Sequence, residues 1–551
     1  MSSPINLFLS RRMAVRNLTL LILLVGIITA CYQWTKMQED AERSPEQPWG
    51  SSVSWSDGVL KHLWSGKDAH LEKENDSYYT GSTTVALNPP SSTIIPHDTF
   101  SSLPPADPRP HTKLTRHAPG WTTFENLYMS NGTLFIVTAD PSQWPNLRYM
   151  ISVPMIALNT PENIAAREPT PELISFITPE DAEKLWGDRV WEVKDWTFMV
   201  TDPPQFLDHY YHFLAETFLG FWRMFSSLDP KIDVHGNTVL PTPARIIIPY
   251  CTDAQWSDYS QFNQWFLHGV FPSLSIESLK EWDARRSMTA PNRTATSHQK
   301  LKAFRFTNLI LSDRSATFRG NICPSQTNRI ASEAYEATKN ISSQWWWEPI
   351  RRSVMRFSDV EKDVMDRSVI WDGVWNWGLD VANTDSIALQ LASKRTPVVV
   401  SYIVRISHYR MLTPESHRSL IESLNQLCSS KGWEFNVVHA ERMTREEQVQ
   451  MAAKSTIILG VHGNGLTHLV WMPPSPISTV IEIFYPGGFA RDYEWTARAL
   501  GHRHYGIWND TYITNPRVPE VIYVEGFHGR EIPVHGPTVA KLVEDRVEGR
   551  I

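Results

Sequence analysis

From residue 397 onward the apolar positions fall into short continuous runs, separated by stretches whose apolar residues recur at helical spacing. Continuous runs suit strands buried on both faces, and a 3.6-residue period suits helices with one buried stripe. The pattern predicts strands over 398–404, 434–439, 456–459 and 479–484, and helices over 414–429 and 444–453. Thr413 and Pro414 fit the N-cap and first turn of one helix, and Thr444 with Glu447 forms a capping box for the other. A glycine-rich turn, GVHGNG at 460–465, follows the third strand and leads into a helix-like start at 466–469. Strands and helices in this alternation predict a parallel, doubly wound sheet. Ligands on such sheets bind beyond the carboxyl ends of the strands, where this turn lies.

Before that region the pattern is less regular. Strands are expected over 133–138, 196–201, 244–249 and 307–311, and helices over 213–225, 258–270 and 328–340. Residues 341–395 lack a period and carry Trp345, Trp346, Trp347, Trp371, Trp375 and Trp377, as an insertion or an interdomain crossing would. Residues 35–115 are rich in Ser, Thr and Pro, with isolated Trp and no period. Such a composition buries too little apolar area to fold alone and reads as a flexible stem. Ahead of it, Arg11, Arg12 and Arg16 precede an apolar run over 18–32, closed by Trp34 and Lys36. That run is short for a membrane span, and residues 13–15 extend it if Arg16 snorkels. Positive charge before the run and Glu39, Asp40 and Glu42 after it predict a cytosolic N-terminus and a luminal bulk. A cleaved signal peptide ending near Ala30, or a lipoprotein box over 28–31, would be the alternatives; Trp34 in place of small residues favours an uncleaved signal anchor.

Composition narrows the function. The net charge of −7 over 551 residues gives no nucleic-acid footprint. The 23 Trp residues fit large cores better than sugar-stacking platforms, on composition alone. Asn75, Asn131, Asn292, Asn340 and Asn509 each begin a glycosylation triplet, consistent with a luminal location. Beyond Cys31, only Cys251, Cys323 and Cys428 remain, too few for a disulfide scaffold. No C-x-x-C or H-x-x-x-H pair suggests a zinc site.

Four blocks together resemble glycosyltransferase family 61. They are DHYYHFLAE at 208–216, VSYIVR at 400–405 followed by Arg410, ERMTREEQ at 441–448, and GVHGNGLT at 460–467. Asn464 stands where the family usually has Ala, His468 where Asn is common, and Val404 where Ser precedes the arginine; these departures bear on sugar choice. The resemblance implies an α/β protein of GT-B type, with two Rossmann-like doubly wound domains. On that basis the chain divides into a cytosolic tail (1–17), a transmembrane signal anchor (18–34) and a stem (35–115). An acceptor-side domain with an insertion (116–395), a nucleotide-sugar-binding domain (396–510) and a C-terminal extension (511–551) follow.

The same resemblance implies inverting transfer of GlcNAc or xylose from a UDP-sugar to a hydroxyl of a glycoprotein or polysaccharide, on the luminal side of a Golgi or endoplasmic reticulum membrane as a single-pass type II protein. Arg405 and Arg410, just past a strand end, can clamp a diphosphate and stabilise the leaving group; a surface ion pair with Glu415 is the plainer alternative. The backbone of Gly463, Asn464 and Gly465, with Thr467, can hold a phosphate or ribose. His462 can donate to phosphate or anchor the loop. Glu482, an acid in an apolar strand, needs a partner: a ribose or sugar hydroxyl, or a backbone nest. For the base that takes the acceptor proton, the candidates are His212, Glu216 and Asp208. His212 and Glu216, four apart, would share a helix face, with the acid able to orient the imidazole; Glu216 could instead merely complement the helix dipole. The chain has no D-x-D pair, so no metal or other cofactor is expected, and the leaving charge falls to arginines and dipoles. A catalytically inactive relative or a luminal glycan-binding protein is the competing reading.

Overall fold

The computed structural model describes residues 110–291, 300–377, 391–392, 394–395, 397–405 and 409–551. The expected anchor, most of the expected stem, Asn75 and Asn292 lie outside the described residues. Among the described residues no helix is long and apolar enough to cross a membrane. Of the described residues, those from 110 to 157 and from 165 onward form one compact unit built on two sheets.

The first sheet holds β1 (Lys113–Ala118), β2 (Trp121–Ser130), β3 (Thr133–Val137), β4 (Ile174–Ile177), β5 (Val190–Val200), β6 (Arg245–Ile247), β7 (Ser275–Glu277) and β8 (Ala303–Ser312). Its order is β4-β3-β2-β8-β5-β6-β7, with β1 paired to β2. Strands β8, β5, β6 and β7 are mutually parallel, whereas β2 runs antiparallel to β1, β3 and β8. The sheet is therefore mixed, and β1 begins inside the expected stem. Asn131 and Gly132, the start of a glycosylation triplet, also form the two-residue link of the β2–β3 hairpin. Both have positive φ, 52° and 86°, and an Asn-Gly pair of this kind matches the twist of the flanking strands.

The second sheet follows the sequence pattern closely. It holds β9 (Val399–Ile403), β10 (Glu434–Val438), β11 (Ile457–Val461), β12 (Thr479–Phe484), β13 (Arg503–Trp508) and β14 (Thr511–Ile513). The order is β10-β9-β11-β12-β13-β14, parallel as far as β13, with β14 returning antiparallel. Alternate residues enter different cores. Val400, Leu459 and Ile481 pack with Leu420 and Leu424 of helix Pro414–Lys431 and with Val539 and Leu542 of helix Gly536–Val547. Ile403, Ile458 and Val480 face the other way, into a core with Val449 and Ala452 of helix Arg445–Lys454. Covering both faces is why these strands read as unbroken apolar runs. The expected caps are present: Thr413 accepts from the Ser416 N–H at 3.1 Å, and Thr444 with Glu447 closes the capping box. The expected C-terminal extension is integral to this sheet, supplying β14 and a packing helix.

Many of the described tryptophans are core, although Trp191 is exposed. Trp121, Trp186, Trp346, Trp347, Trp371 and Trp471 are fully buried, and several tie the two sheets together. Trp347 Nε1 donates to the Val470 carbonyl at 2.9 Å, and Trp471 Nε1 donates to the Tyr210 hydroxyl at 3.0 Å. Indole buries a large apolar area and still needs a partner for its N–H, which suits it to such a seam. Gly220 lies against the Trp121 ring, where a Cβ would collide with the indole.

Candidate active site

Both sheets direct the carboxyl ends of parallel strands toward one set of polar residues. On the second sheet, Arg405 follows β9 and the glycine turn follows β11. Gly463 has φ 151° and ψ 177°, a conformation essentially confined to glycine. A Cβ there would strike Arg405 Nη1, and Arg410 Nη1 lies 3.8 Å from the same point. Two guanidiniums thus converge on a turn with no side chain of its own. Gly463 leads directly into helix Asn464–Trp471, which is 3-10 rather than α and has no side-chain cap at its start. Arg405 Nε donates to the Tyr409 carbonyl at 2.9 Å, and Arg410 Nε is buried with no hydrogen-bond partner among the described residues. Neither arginine forms an ion pair among the described residues, and Glu415 pairs instead with Arg418 at 3.5 Å. Burial, then repulsion from Arg410, lowers the Arg405 pKa to about 10. Two cations with no ion pair among the described residues, converging on the start of a helix, make a receptor for an anion.

The side chains under the turn support it. Thr467 Oγ1 donates to Asn464 Oδ1 at 3.2 Å. His462 Nδ1 makes a very short hydrogen bond to Glu482 Oε1, and the other carboxylate oxygen pairs with His504 Nε2 at 2.8 Å. Glu482 is 0 % exposed, so its role is to hold His462 and His504 from within. Burial pushes the Glu482 carboxyl up, with Asp492 and Glu494 adding to the effect, and burial holds both His462 and His504 down at about 3. Glu482 meets its partners inside the protein, and His462 is a clamped ring at the floor of the turn.

On the first sheet, His212 opens a π-helical stretch, His212–Phe218, that continues as the α-helix Leu219–Ser226. Such wide turns recur at functional sites. His212 Nδ1 and Glu216 Oε2 lie 2.6 Å apart. Glu216 also accepts from Arg314 Nη1 at 2.8 Å and pairs with Arg329 Nη1 at 3.4 Å. Burial pushes its carboxyl up, but Arg314, Arg329 and His212 outweigh that and hold it well below the usual range. An ionised carboxylate only accepts hydrogen bonds, so Nδ1 carries the proton and Nε2 is left as the basic atom. The His212 side chain is 23 % exposed, so the ring is not sealed in the core. Glu216 is thus too weak a base to take a proton and serves as the orienter. Asp208 is exposed and hydrogen-bonds to none of these groups.

The two clusters meet through Asp492, in the first turn of helix Asp492–Ala499 after β12. Arg329 Nη1 donates to Asp492 Oδ1 at 2.6 Å, and Tyr211, next to His212, donates its hydroxyl to the Asp492 carbonyl at 2.8 Å. Burial, opposed and outweighed by Arg329 and then His462 and His212, leaves the Asp492 carboxyl lowered. Its charge is therefore felt on both sides. Arg314, Arg329, Asp492 and His504 were not legible in the sequence. Their neighbours along the chain carry no sign of a distant partner, and only the acid in an apolar strand, Glu482, hinted at one.

A mixed α/β protein in which an anion-receiving turn is set against a histidine–glutamate pair has the parts of a group-transfer enzyme. Residues 210–481 match the family model Glycosyltransferase 61, and this stretch carries a domain of glycosyltransferase family 61. No curated protein matches the chain. The match includes His212, Glu216, Arg314, Arg329, both clamp arginines and the glycine turn, and stops before Glu482, Asp492 and His504. Family membership implies glycosyl transfer from a sugar donor to an acceptor. Among the described residues no group of three or more His, Cys, Asp and Glu converges as a metal-binding set.

Proposed function

We propose that this protein is an inverting, GT-B-type glycosyltransferase that moves GlcNAc or xylose from a UDP-sugar to a hydroxyl of a glycoprotein or polysaccharide. The observation that carries the reading is the convergence of Arg405 and Arg410 on Gly463, linked through Asp492 and Arg329 to the oriented His212. In the reaction, His212 Nε2 takes the acceptor proton as the hydroxyl oxygen attacks the anomeric carbon. The bond to UDP breaks on the opposite face, and the charge developing on the β-phosphate is taken by the two guanidiniums and the turn amides. Glu216 holds the imidazole in the required tautomer and orientation. The paired arginines support a metal-independent reaction, since they supply the positive charge that a chelated divalent ion would otherwise bring.

The charge pattern around residues 18–34 supports single-pass type II anchoring in the Golgi or endoplasmic reticulum, with the catalytic part luminal. Asn131 and Asn340 are exposed and Asn509 is half-buried, which leaves the first two open to glycosylation. Titration of the purified protein with UDP, with and without EDTA and again as Arg405→Ala, tests the donor site. The expected result is binding that survives chelation and weakens in the variant. Loss on chelation would overturn the metal-free mechanism, and no UDP binding would favour a glycan-binding protein instead.

A further inference from the structure

The segment after β14 lies beyond the stretch matched to the family, yet it returns to the site. Ile522 and Phe489 exchange backbone hydrogen bonds at 2.9 and 3.0 Å, and the N–H groups of Arg410 and Met411 donate to the carbonyls of His528 and Gly529, both at 3.2 Å. The segment is thus fastened on one side to the strand end that leads toward Asp492 and on the other to the clamp arginine's own backbone. Phe527 is its buried anchor, with a ring 5.3 Å from His462, and Gly488 leaves room for it where a Cβ would collide with the Phe527 ring. On Phe527 stands Tyr523, ring centroids 5.0 Å apart and nearly perpendicular at 87°. Tyr523, with His528 stacked beside it at 6.0 Å and 18°, stands at the open end of an aromatic series that starts beside the histidine base. Tyr211 meets Tyr493 at 5.0 Å, Tyr493 meets His462 at 5.7 Å, and His462 leads on to Phe527. Unlike the Tyr211, Tyr493, His462 and Phe527 rings, Tyr523 is substantially open, at 54 % exposed.

We propose that Tyr523 is the platform on which the sugar ring of the donor lies, a specificity-determining contact supplied from outside the family-matched stretch. The inference rests on the proposed UDP-sugar donor. A pyranose presents a face of C–H groups that packs on an aromatic ring, and its hydroxyls need polar partners at the rim. Tyr523 offers both. The ring stands on Phe527, which packs on His462, and the same segment is bonded to the Arg410 backbone, so Tyr523 belongs to the surroundings of the clamp and of the Asp492–Arg329 pair. Burial raises the pKa of its hydroxyl and Asp492 adds to the rise, while Arg329 opposes it. That pair is joined to Glu216 and His212, where the anomeric carbon must sit for in-line attack. The proposal accordingly sets the sugar of the donor against Tyr523 and its diphosphate at the arginines.

The test uses the full-length protein and three probes, UDP, UDP-GlcNAc and UDP-xylose, titrated calorimetrically against wild type, Tyr523→Ala, Tyr523→Leu and Tyr523→Phe. The expected result is a loss of about tenfold in affinity for the sugar nucleotide that wild type binds, in the Ala and Leu variants, with UDP affinity unchanged and most of the loss recovered by Phe. Unchanged sugar-nucleotide affinity in both Ala and Leu would overturn the platform, as would equal weakening of UDP. A wild type that binds UDP but neither sugar nucleotide would overturn it too. A wild type that does not bind UDP at all would bring down the proposed donor itself. Thermal unfolding of each variant separates a lost contact from a lost fold.

Discussion

Gly463→Ala is the sharpest perturbation the site offers, because one methyl group acts on the arginine clamp without touching a charge. The native φ of 151° lies where a side chain costs about 1–3 kcal/mol of backbone strain. That cost falls on the turn in every state of ligation and lowers stability. The second effect falls on binding. The new Cβ occupies the place of Arg405 Nη1, so the guanidinium must swing away. Losing one charge-assisted hydrogen bond is worth about 1.5–3 kcal/mol, or roughly 10- to 100-fold in UDP affinity. Calorimetric titration of UDP into wild type, Gly463→Ala, Arg405→Ala and the double variant measures both the size and the cause. If the methyl acts by displacing Arg405, the double variant binds UDP no more weakly than Arg405→Ala alone. Wild-type affinity in Gly463→Ala, or full additivity in the double variant, would refute the reasoning.

His212→Ala is expected to lower kcat by about 10²- to 10⁴-fold while leaving UDP affinity nearly unchanged, because a general base acts on the acceptor proton and not on the phosphates; a matched rise in the UDP dissociation constant would place His212 in donor binding instead. His468 and His502 are buried and bonded to partners that do not titrate, Gln448 at 2.8 Å and Ser478 at 2.9 Å. Burial lowers the pKa of His468 to about 4 and that of His502 well below its ordinary value. The unfolded chain therefore takes up protons below about pH 6.5 that the folded chain refuses, so stability falls as the solution is acidified from about pH 6.5 toward 4, by on the order of 1 kcal/mol per pH unit for each ring. Thermal melts at pH 7.5, 6.5 and 5.5 should show the decline, and His468→Asn should reduce its slope; an identical slope in the variant would sink the assignment.

Local chemistry made much of the second sheet legible. A strand buried on both faces must be apolar throughout, a helix start needs a capping oxygen, and a chain reversing over a ligand site needs glycine. Each requirement marks adjacent residues, so β9 to β12, the caps at Thr413 and Thr444, and the turn at Gly463 can be read in order along the chain. The same holds for His212 and Glu216, whose four-residue spacing brings them together in any helical turn, here a wide one. The antiparallel β1–β3 edge was less evident, because its short strands alternate weakly, although the Asn131-Gly132 pair carried the hairpin signal.

What gives those residues their chemistry is set at long range. Glu216 is ionised because Arg314, 98 positions away in the chain, donates to it. The two halves of the site are joined because the Tyr211 hydroxyl reaches the Asp492 carbonyl across 281 positions. Glu482 turns inward because His504 sits on the neighbouring strand in parallel register. Charge and hydrogen-bond partners act through space over a few ångströms, and local periodicity carries no record of which distant segment will supply them. Local pattern along the chain was enough for β9 to β12, the caps, the glycine turn and the residues able to do chemistry. Which carboxylate is ionised, which imidazole nitrogen is basic, and which aromatic ring stands open came from long-range packing, because those properties belong to neighbours that folding alone brings together.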